Sequence, residues 1–183
     1  MPAVLVPLAE GCEEIEAVTV VDLLRRGGVK VVTAALGKRI VHGNHGIGIE
    51  ADVTLDEALK QEFEMLVLPG GQPGATHLGA DPRIQALLKK MEKDGRYIAA
   101  ICAAPGVLAE AGLLKGKKAT SFPDAIKDKS GIDYLESAVV KDGKIITSRG
   151  PGTAIEFGLA LLALLMGEEV RKKVEDRLQR PNN

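Results

Sequence analysis

The sequence contains few aromatic residues: three Phe, two Tyr and no Trp among 183 residues. It therefore lacks the stacking side chains on which proteins bind single-stranded nucleic acid bases. Its two cysteines, Cys12 and Cys102, are too few for a disulfide framework. Neither charge is in excess, since 24 basic and 25 acidic residues leave a formal net charge of −1. This balance argues against nucleic acid or an anionic membrane surface as the main partner.

The sequence also lacks a recognisable targeting or membrane-spanning segment. Its first residues have neither the basic region nor the long apolar region of a secretory signal. The longest apolar stretch, residues 157–166, is about half the ~20 residues needed to cross a bilayer. We therefore expect a soluble cytoplasmic protein in a compartment that keeps thiols reduced.

Short apolar runs alternate with segments of helical periodicity along the chain. This alternation predicts an α/β fold in which a mostly parallel sheet is covered by helices on both faces. No repeat or linker interrupts the pattern, so we expect a single domain over residues 1–183. The predicted strands are 3–8, 29–35, 65–68 and 97–101, with short strands in 37–50 and a hairpin of 139–140 with 145–146 around Asp142-Gly143. The predicted helices are 13–28, 52–60, one opened by Asp81-Pro82, a small-residue helix after Cys102 to 113, one ending at Gly167, and 168–180 with a frayed end after it.

Four loops with distinctive chemistry follow strand-like runs and precede helices. They cover residues 9–16, 69–74, 102–105 and 148–153. Ligands of open α/β sheets bind outside the carboxyl ends of the strands, so these loops are expected to converge on one site.

Cys102 is the strongest candidate for a reactive group. It lies between a buried strand and a helix of small residues, which is the setting of a nucleophile elbow. The start of that helix would favour a thiolate. The alternative is a buried, inert cysteine, a common fate for this residue type.

Glu16 is the candidate acid–base partner. It lies one turn beyond Glu13, and a buried, protonated Glu16 could donate a hydrogen bond to the thiolate and lower its pKa. The alternative is that the acidic run complements the helix dipole, which suffices for Glu13 and Glu14. Gly70-Gly71 could supply backbone N–H groups to an oxyanion or form an ordinary tight turn.

The remaining polar candidates are weaker. His42 and His45 are close in sequence but His77 is distant, and a metal site requires more clustered ligands, so we expect neither metal nor cofactor. Cys12 has no second thiol nearby in sequence and is interpreted as a packing residue. Residues 150–153 could be a plain helix start with Arg149 on the surface.

Four segments together resemble the ThiJ/PfpI superfamily, and its Parkinsonism-associated deglycase branch most closely. They lie in the family's order and span nearly the whole chain. The segments are Gly11-Cys12-Glu13-Glu14-Ile15-Glu16, Leu68-Pro69-Gly70-Gly71, Ala99-Ala100-Ile101-Cys102-Ala103-Ala104-Pro105 and Ser148-Arg149-Gly150-Pro151-Gly152-Thr153.

The resemblance implies a flavodoxin-like sandwich that forms homodimers, with residues 14–28 and 42–50 as interface contributors. It implies that Cys102 is the reactive cysteine, which oxidises readily to a sulfinate, and that Glu16 is its protonated partner. It further implies an amide pocket formed by Gly70, Gly71 and Ala103. Family activities include glutathione-independent glyoxalase, deglycase, redox-dependent chaperone and, in distant members, peptidase.

One position departs from the family pattern. Many members place a histidine near the cysteine, after a Thr-Thr or similar pair, whereas here Thr120-Ser121 is followed by Phe122. Phenylalanine cannot carry a proton, which disfavours a cysteine peptidase. The leading hypothesis is a stress-response enzyme, of hydro-lyase or hydrolase type, that acts on reactive α-oxoaldehydes or glycated substrates through a Cys102 hemithioacetal. The alternative is a redox-sensing chaperone that uses oxidation of Cys102.

Overall fold

A seven-stranded sheet forms the centre of the computed structural model, which describes residues 1–180. The frayed end predicted for residues 181–183 lies outside this range. The strands are β1 (Ala3–Leu8), β2 (Lys30–Ala35), β3 (Ile40–His42), β4 (Gly48–Glu50), β5 (Val53–Thr54), β6 (Met65–Leu68), β7 (Tyr97–Ile101), β8 (Lys118–Ala119), β9 (Asp133–Tyr134), β10 (Val139–Asp142) and β11 (Ile145–Ser148). The helices are α1 (Glu14–Arg26), α2 (Leu55–Ala58), α3 (Gly74–Ala80), α4 (Pro82–Lys93), α5 (Pro105–Glu110), α6 (Ala154–Met166) and α7 (Glu168–Arg177), with a 3-10 turn at Pro151–Thr153.

The main sheet has the strand order β10-β11-β7-β6-β1-β2-β5. All neighbours are parallel except β10 and β11, which pair as an antiparallel hairpin. β3 pairs with β4, and β8 with β9, in two small separate sheets. The mostly parallel sheet with helices on both faces confirms the predicted fold class.

The two faces of the sheet carry separate hydrophobic clusters. Val4 and Val6 of β1 belong to the cluster that includes residues of α1 and α6, whereas Leu5 belongs to the cluster that includes residues of α4 and α5. This alternation is the two-residue period of a strand whose both faces are covered. Because both faces are buried, the open positions for chemistry lie at the ends of the strands.

The helix and hairpin signals with clear local chemistry are confirmed. Asp81 caps α4 by accepting a hydrogen bond from the Arg83 N–H at 2.9 Å, and Pro82 is its first residue. Gly143 takes a φ of 59° in the turn between β10 and β11. This left-handed conformation is what the Asp-Gly pair predicts.

Several parts of the sequence fold differently from the prediction: no strand was predicted at β8 or β9, and the helix predicted to run to residue 113 ends at Glu110. The predicted helix 52–60 begins later, because Val53–Thr54 joins the sheet as β5 and Thr54 then caps α2 in a capping box with Glu57. Helix α3 was not predicted, since its sequence of small residues contains two glycines and begins without a side-chain cap. Within the described part of the chain, no helix is long and apolar enough to cross a membrane.

Candidate active site

Cys102 occupies a strained turn between β7 and α5. Its φ of 64° lies in the left-handed region, which side chains other than those of glycine rarely adopt. Such a conformation costs of order 1–3 kcal/mol and persists only where the surroundings fix it. The predicted strand-to-helix elbow is therefore present, with Cys102 8% exposed at the carboxyl edge of the sheet.

Two backbone hydrogen bonds, which residue type does not reveal, fix this turn. The Cys102 N–H donates to the Ser148 carbonyl oxygen at 2.9 Å, and its carbonyl oxygen accepts from the Phe122 N–H at 2.8 Å. Ser148 ends β11, the strand beside β7. Backbone contacts of this kind leave no mark in residue type, although the sequence predicts the loop of residues 148–153 at the same edge of the sheet.

Glu16 lies beside Cys102 and is completely buried. Its Oε2 accepts a hydrogen bond from the Gly70 N–H at 2.8 Å. Among the described residues its Oε1 is buried without any hydrogen-bond partner. A buried carboxylate oxygen with no donor is costly, so this environment favours the protonated acid.

Gly70 allows the loop that follows β6 to lie directly against Cys102 and Glu16. A Cβ at this position would stand 2.7 Å from the Cys102 Cβ and 2.8 Å from Glu16 Oε2. Only glycine permits this approach. The Gly70 N–H is directed to Glu16, so its role differs from the oxyanion donor of the sequence analysis: it positions the carboxyl group.

Gly71 and Ala103 supply the N–H groups that face the sulfur. Hydrogen bonds from both backbones lower the Cys102 pKa. Gly71 has a φ of 83°, and a Cβ on it would stand 2.4 Å from the Glu13 N. No other residue type would fit at this position, and the amide of Gly71 is held close to the start of α1.

The electrostatics of Cys102 and Glu16 are dominated by burial. Burial raises the pKa of Glu16 to about 7. Burial and the charge of an ionised Glu16 raise the pKa of Cys102 to about 12, against the Gly71 and Ala103 amides. The expectation that the helix start lowers the thiol pKa is therefore wrong while Glu16 is ionised, because burial and the Glu16 charge outweigh the N–H groups near the sulfur.

These shifts describe a pair that cannot easily carry two negative charges. The pair loses its first proton near pH 7 and retains the second to far higher pH. When Glu16 holds the proton, the repulsion of a thiolate disappears and the carboxyl O–H can face the sulfur. The geometry thus places a thiol and a carboxyl group side by side, within hydrogen-bond reach of each other.

The other acidic residues of the same segment have structural contacts. The Glu13 carboxylate caps α1 by accepting from the Glu16 N–H at 2.8 Å. Glu14 accepts from the backbone N–H groups of His45 and Ile47 at 2.8 and 3.3 Å, and from His45 Nδ1 at 3.0 Å. Although burial opposes it, these hydrogen bonds lower the Glu14 pKa.

Glu13, Glu14 and His45 also present ligand atoms within 4.8 Å of one another. The Glu14 carboxylate is already occupied by its three hydrogen bonds, which explains the cluster as an anchor for the 43–47 turn. His42 and His77 lie apart from it, with the His77 Nδ1 2.9 Å from the Glu10 carbonyl oxygen.

The two cysteines are both free, and they differ in environment. Cys12 is completely buried, and burial together with Glu14 raises its pKa to about 11. This environment agrees with its interpretation as a packing residue.

The remaining predicted loop closes one side of the site. Thr153 Oγ1 lies 2.7 Å from Ser148 Oγ and donates to the Gly150 carbonyl oxygen at 3.0 Å, so residues 148–153 form a compact turn. Arg149 is partly exposed, and its guanidinium lies 4.0 Å from Glu136. A groove of about 320 Å³ lies next to the site at Ala103 and is lined in part by Gln72, Thr76 and Gly106.

A strained cysteine at the carboxyl edge of a flavodoxin-like sheet, in contact with a buried carboxyl group, defines a class of cysteine-centred α/β proteins. Comparison with known sequences identifies the family within that class. Residues 2–164 match the DJ-1/PfpI family, and the chain belongs to it.

Individual relatives resemble the chain over most of its length. The chain is 44% identical over 170 residues to Protein DJ-1 homolog B of Arabidopsis thaliana, a match that covers 92% of the chain but 39% of that protein. It is 39% identical over 163 residues to the glutathione-independent glyoxalase DJR-1.2 of Caenorhabditis elegans, covering 87% of the chain and 86% of the relative. The crystal structure of Drosophila melanogaster DJ-1beta superposes with a TM-score of 0.93 at 40% identity and covers 99% of both chains.

Proposed function

We propose that this protein is a cysteine-dependent enzyme that converts reactive α-oxoaldehydes to 2-hydroxy acids without glutathione. The observation that carries the proposal is the contact of the strained Cys102 with the buried carboxyl group of Glu16. The name of the Caenorhabditis relative, a glutathione-independent glyoxalase, supports the substrate class. Methylglyoxal would yield lactate, and glyoxal would yield glycolate.

The reactive state carries one proton on the pair. Glu16 holds it, and the Cys102 sulfur is the thiolate that attacks. Because the pair loses its first proton near pH 7 and its second only at far higher pH, it carries one proton above neutral pH, and the reactive tautomer has that proton on Glu16. The acid is thus positioned to give its proton to whatever oxygen develops charge beside the sulfur.

The reaction then follows as a sequence of proton transfers. The thiolate forms a bond to the aldehyde carbon, and the Glu16 proton moves to the resulting alkoxide to give a hemithioacetal. The Glu16 carboxylate removes the proton from that carbon and returns it to the adjacent one. The hydroxyl proton passes to the former ketone oxygen, which leaves a thioester of the 2-hydroxy acid on Cys102.

Water completes the cycle. The Glu16 carboxylate takes a proton from a water molecule, whose oxygen attacks the thioester carbon. The thiolate leaves, and the acid is released. Oxidation states balance within the substrate, since the aldehyde carbon is oxidised and the ketone carbon is reduced, so no external oxidant is required.

Backbone amides assist where the charge develops. The Gly71 and Ala103 N–H groups face the sulfur, next to the position of the alkoxide. Preorganised donors of this kind stabilise an oxyanion. Gly70 acts one step away, since its N–H holds the Glu16 Oε2.

A deglycase would use the same covalent step on a sugar-derived adduct. The groove beside Ala103, about 320 Å³ in volume, offers room for the amino component of such an adduct. A peptidase is disfavoured because Phe122 provides no imidazole near the thiol.

We further propose that the enzyme is a cytoplasmic homodimer. Three apolar side chains, Ile15, Val18 and Ile47, are 56%, 51% and 58% exposed. The Glu14 carboxylate accepts a hydrogen bond from the Ile47 N–H and so holds the 43–47 turn, which carries Ile47, against the helix that carries Ile15 and Val18. Exposed apolar patches of this kind mark protein interfaces.

The direct test is lactate formation from methylglyoxal. We expect turnover by the wild-type protein, loss of at least about a thousandfold in Cys102→Ala, and most of the activity in the matched variant Cys12→Ala. Turnover that survives in Cys102→Ala would refute the proposal.

Redox sensing is the second candidate, and the backbone amides beside the sulfur of Cys102 favour it. Its side chain is slightly exposed, and the Gly71 and Ala103 amides could bind sulfinate oxygens. Mass spectrometry after mild peroxide, run beside the lactate assay, separates the candidates. A sensor forms sulfinate at Cys102 with negligible turnover.

A further inference from the structure

Phe122 is exceptional among the phenylalanines of this chain. Phe63 and Phe157 are buried, at 4% and 0% exposure, whereas Phe122 is 50% exposed. Exposure of an aromatic ring forgoes the burial that stabilises most such side chains. Its location therefore needs an explanation other than core packing.

The backbone of Phe122 is fixed next to the reactive cysteine. Its N–H donates to the Cys102 carbonyl oxygen at 2.8 Å, and its own carbonyl oxygen accepts from Ser121 Oγ at 2.8 Å. The edge of its ring lies 3.5 Å from the position of a Cβ on Gly150. The ring thus lies against the 148–153 turn, and its backbone is hydrogen-bonded directly to the elbow.

The ring differs in chemistry from the rest of the site. The groups facing the sulfur are the Glu16 carboxyl and the amides of Gly71 and Ala103, all of which can form hydrogen bonds with oxygen atoms of a ligand. Phe122 offers neither a donor nor an acceptor. An α-oxoaldehyde has a polar part and an apolar part to match these two kinds of group. Its two oxygens require hydrogen bonds, while the substituent on its ketone carbon requires none.

We infer that Phe122 is a specificity-determining residue whose exposed ring forms an apolar wall of the substrate site and favours α-oxoaldehydes with a methyl or aryl substituent over glyoxal. The inference rests on the proposed function and names the substrate class within it. Contact with the ring gives an advantage of about threefold for a methyl group, and of about tenfold for a phenyl group, which also gains ring–ring contact.

The test compares kcat/KM for phenylglyoxal, methylglyoxal and glyoxal. In Phe122→Ala, which keeps the backbone N–H, we expect the phenylglyoxal-to-glyoxal ratio to fall by about tenfold and the methylglyoxal-to-glyoxal ratio by about threefold. Phe122→Leu should give intermediate ratios. The matched control is Leu59→Ala, which removes another exposed apolar side chain, at the C-cap of α2, and should leave every ratio unchanged. Equal losses on all three substrates, or unchanged ratios, would overturn the inference.

A second readout does not depend on turnover. Phenacyl bromide and bromoacetone alkylate thiols and differ in the same phenyl and methyl groups, and peptide mapping reports the rate at Cys102. We expect the rate with phenacyl bromide, divided by the rate with bromoacetone, to fall in Phe122→Ala. The same ratio should stay unchanged in Leu59→Ala. If no oxoaldehyde is turned over while this ratio falls, the proposed function fails and the apolar wall is supported. If turnover is present and neither ratio changes, the wall is refuted and the proposed function stands.

Discussion

The buried carboxyl group of Glu16 should make the stability of this protein depend on pH in an unusual direction. Its pKa is raised from 4.5 to about 7, chiefly because burial penalises the charged form. Between these values the folded protein binds a proton that the unfolded chain has released. The free energy of unfolding therefore decreases as pH rises through this window.

The size of the effect follows from the shift. Each pKa unit corresponds to about 1.4 kcal/mol, so the full contribution is about 3 kcal/mol between pH 4.5 and pH 8. Glu16→Gln removes the titrating group but keeps an amide that can face the sulfur. We expect the stability of the wild type relative to this variant to fall by about 3 kcal/mol over that window.

The assay is urea denaturation of both proteins at several pH values, which gives the difference in free energy of unfolding at each. Asp81→Asn is the control. The Arg83 guanidinium, together with the Arg83 N–H, lowers the pKa of Asp81 against its desolvation. Asp81 loses its contribution to stability only in acid, where its carboxylate is protonated. The difference in free energy of unfolding between Asp81→Asn and wild type should therefore stay constant above pH 5. A constant difference for Glu16→Gln across the same window would refute the reasoning about the buried proton.

Three further predictions concern the same site and the apolar patch. Gly70→Ala should reduce stability by about 1–3 kcal/mol in urea denaturation and lower methylglyoxal turnover more than tenfold, because its Cβ would stand 2.7 Å from the Cys102 Cβ; wild-type turnover would contradict this. In native protein, iodoacetamide should modify Cys102 before the fully buried Cys12, and peptide mapping would show the order. If Cys12 reacted first, the assignment of Cys102 as the reactive cysteine would be wrong. Val18→Lys should convert a dimer to a monomer in analytical ultracentrifugation with little change in thermal stability, and an unchanged mass would remove this patch from the interface.

Sequence patterns predicted the elements whose chemistry is local. The strands over residues 3–8, 65–68 and 97–101 are continuous apolar runs between helices, and the structure has them at those bounds. Asp81-Pro82 predicted the start of α4 because a capping carboxylate and a proline both act within one turn. Helix α3 escaped prediction because two of its seven residues are glycines and it begins without a side-chain cap.

The candidate site likewise has features that the local sequence reveals and features that depend on distant contacts. Cys102 was recognisable from its position between a strand and small residues, since a tight turn imposes that pattern locally. The role of Gly70 was not, because a glycine that donates to Glu16 and one that donates to a substrate have the same sequence. The balance of burial and charge at the thiol was likewise invisible, because it depends on how many groups from distant segments surround it.

The most direct test of covalent catalysis by Cys102 is carbon-13 NMR of the protein with stoichiometric labelled methylglyoxal. In Glu16→Gln the base that removes the carbon-bound proton is missing, so a hemithioacetal should accumulate on the protein. We predict its carbon resonance in Glu16→Gln, its absence when Cys102→Ala is added, and its persistence when Cys12→Ala is added instead. A resonance that survives Cys102→Ala, or labelled lactate formed without that thiol, would contradict the account.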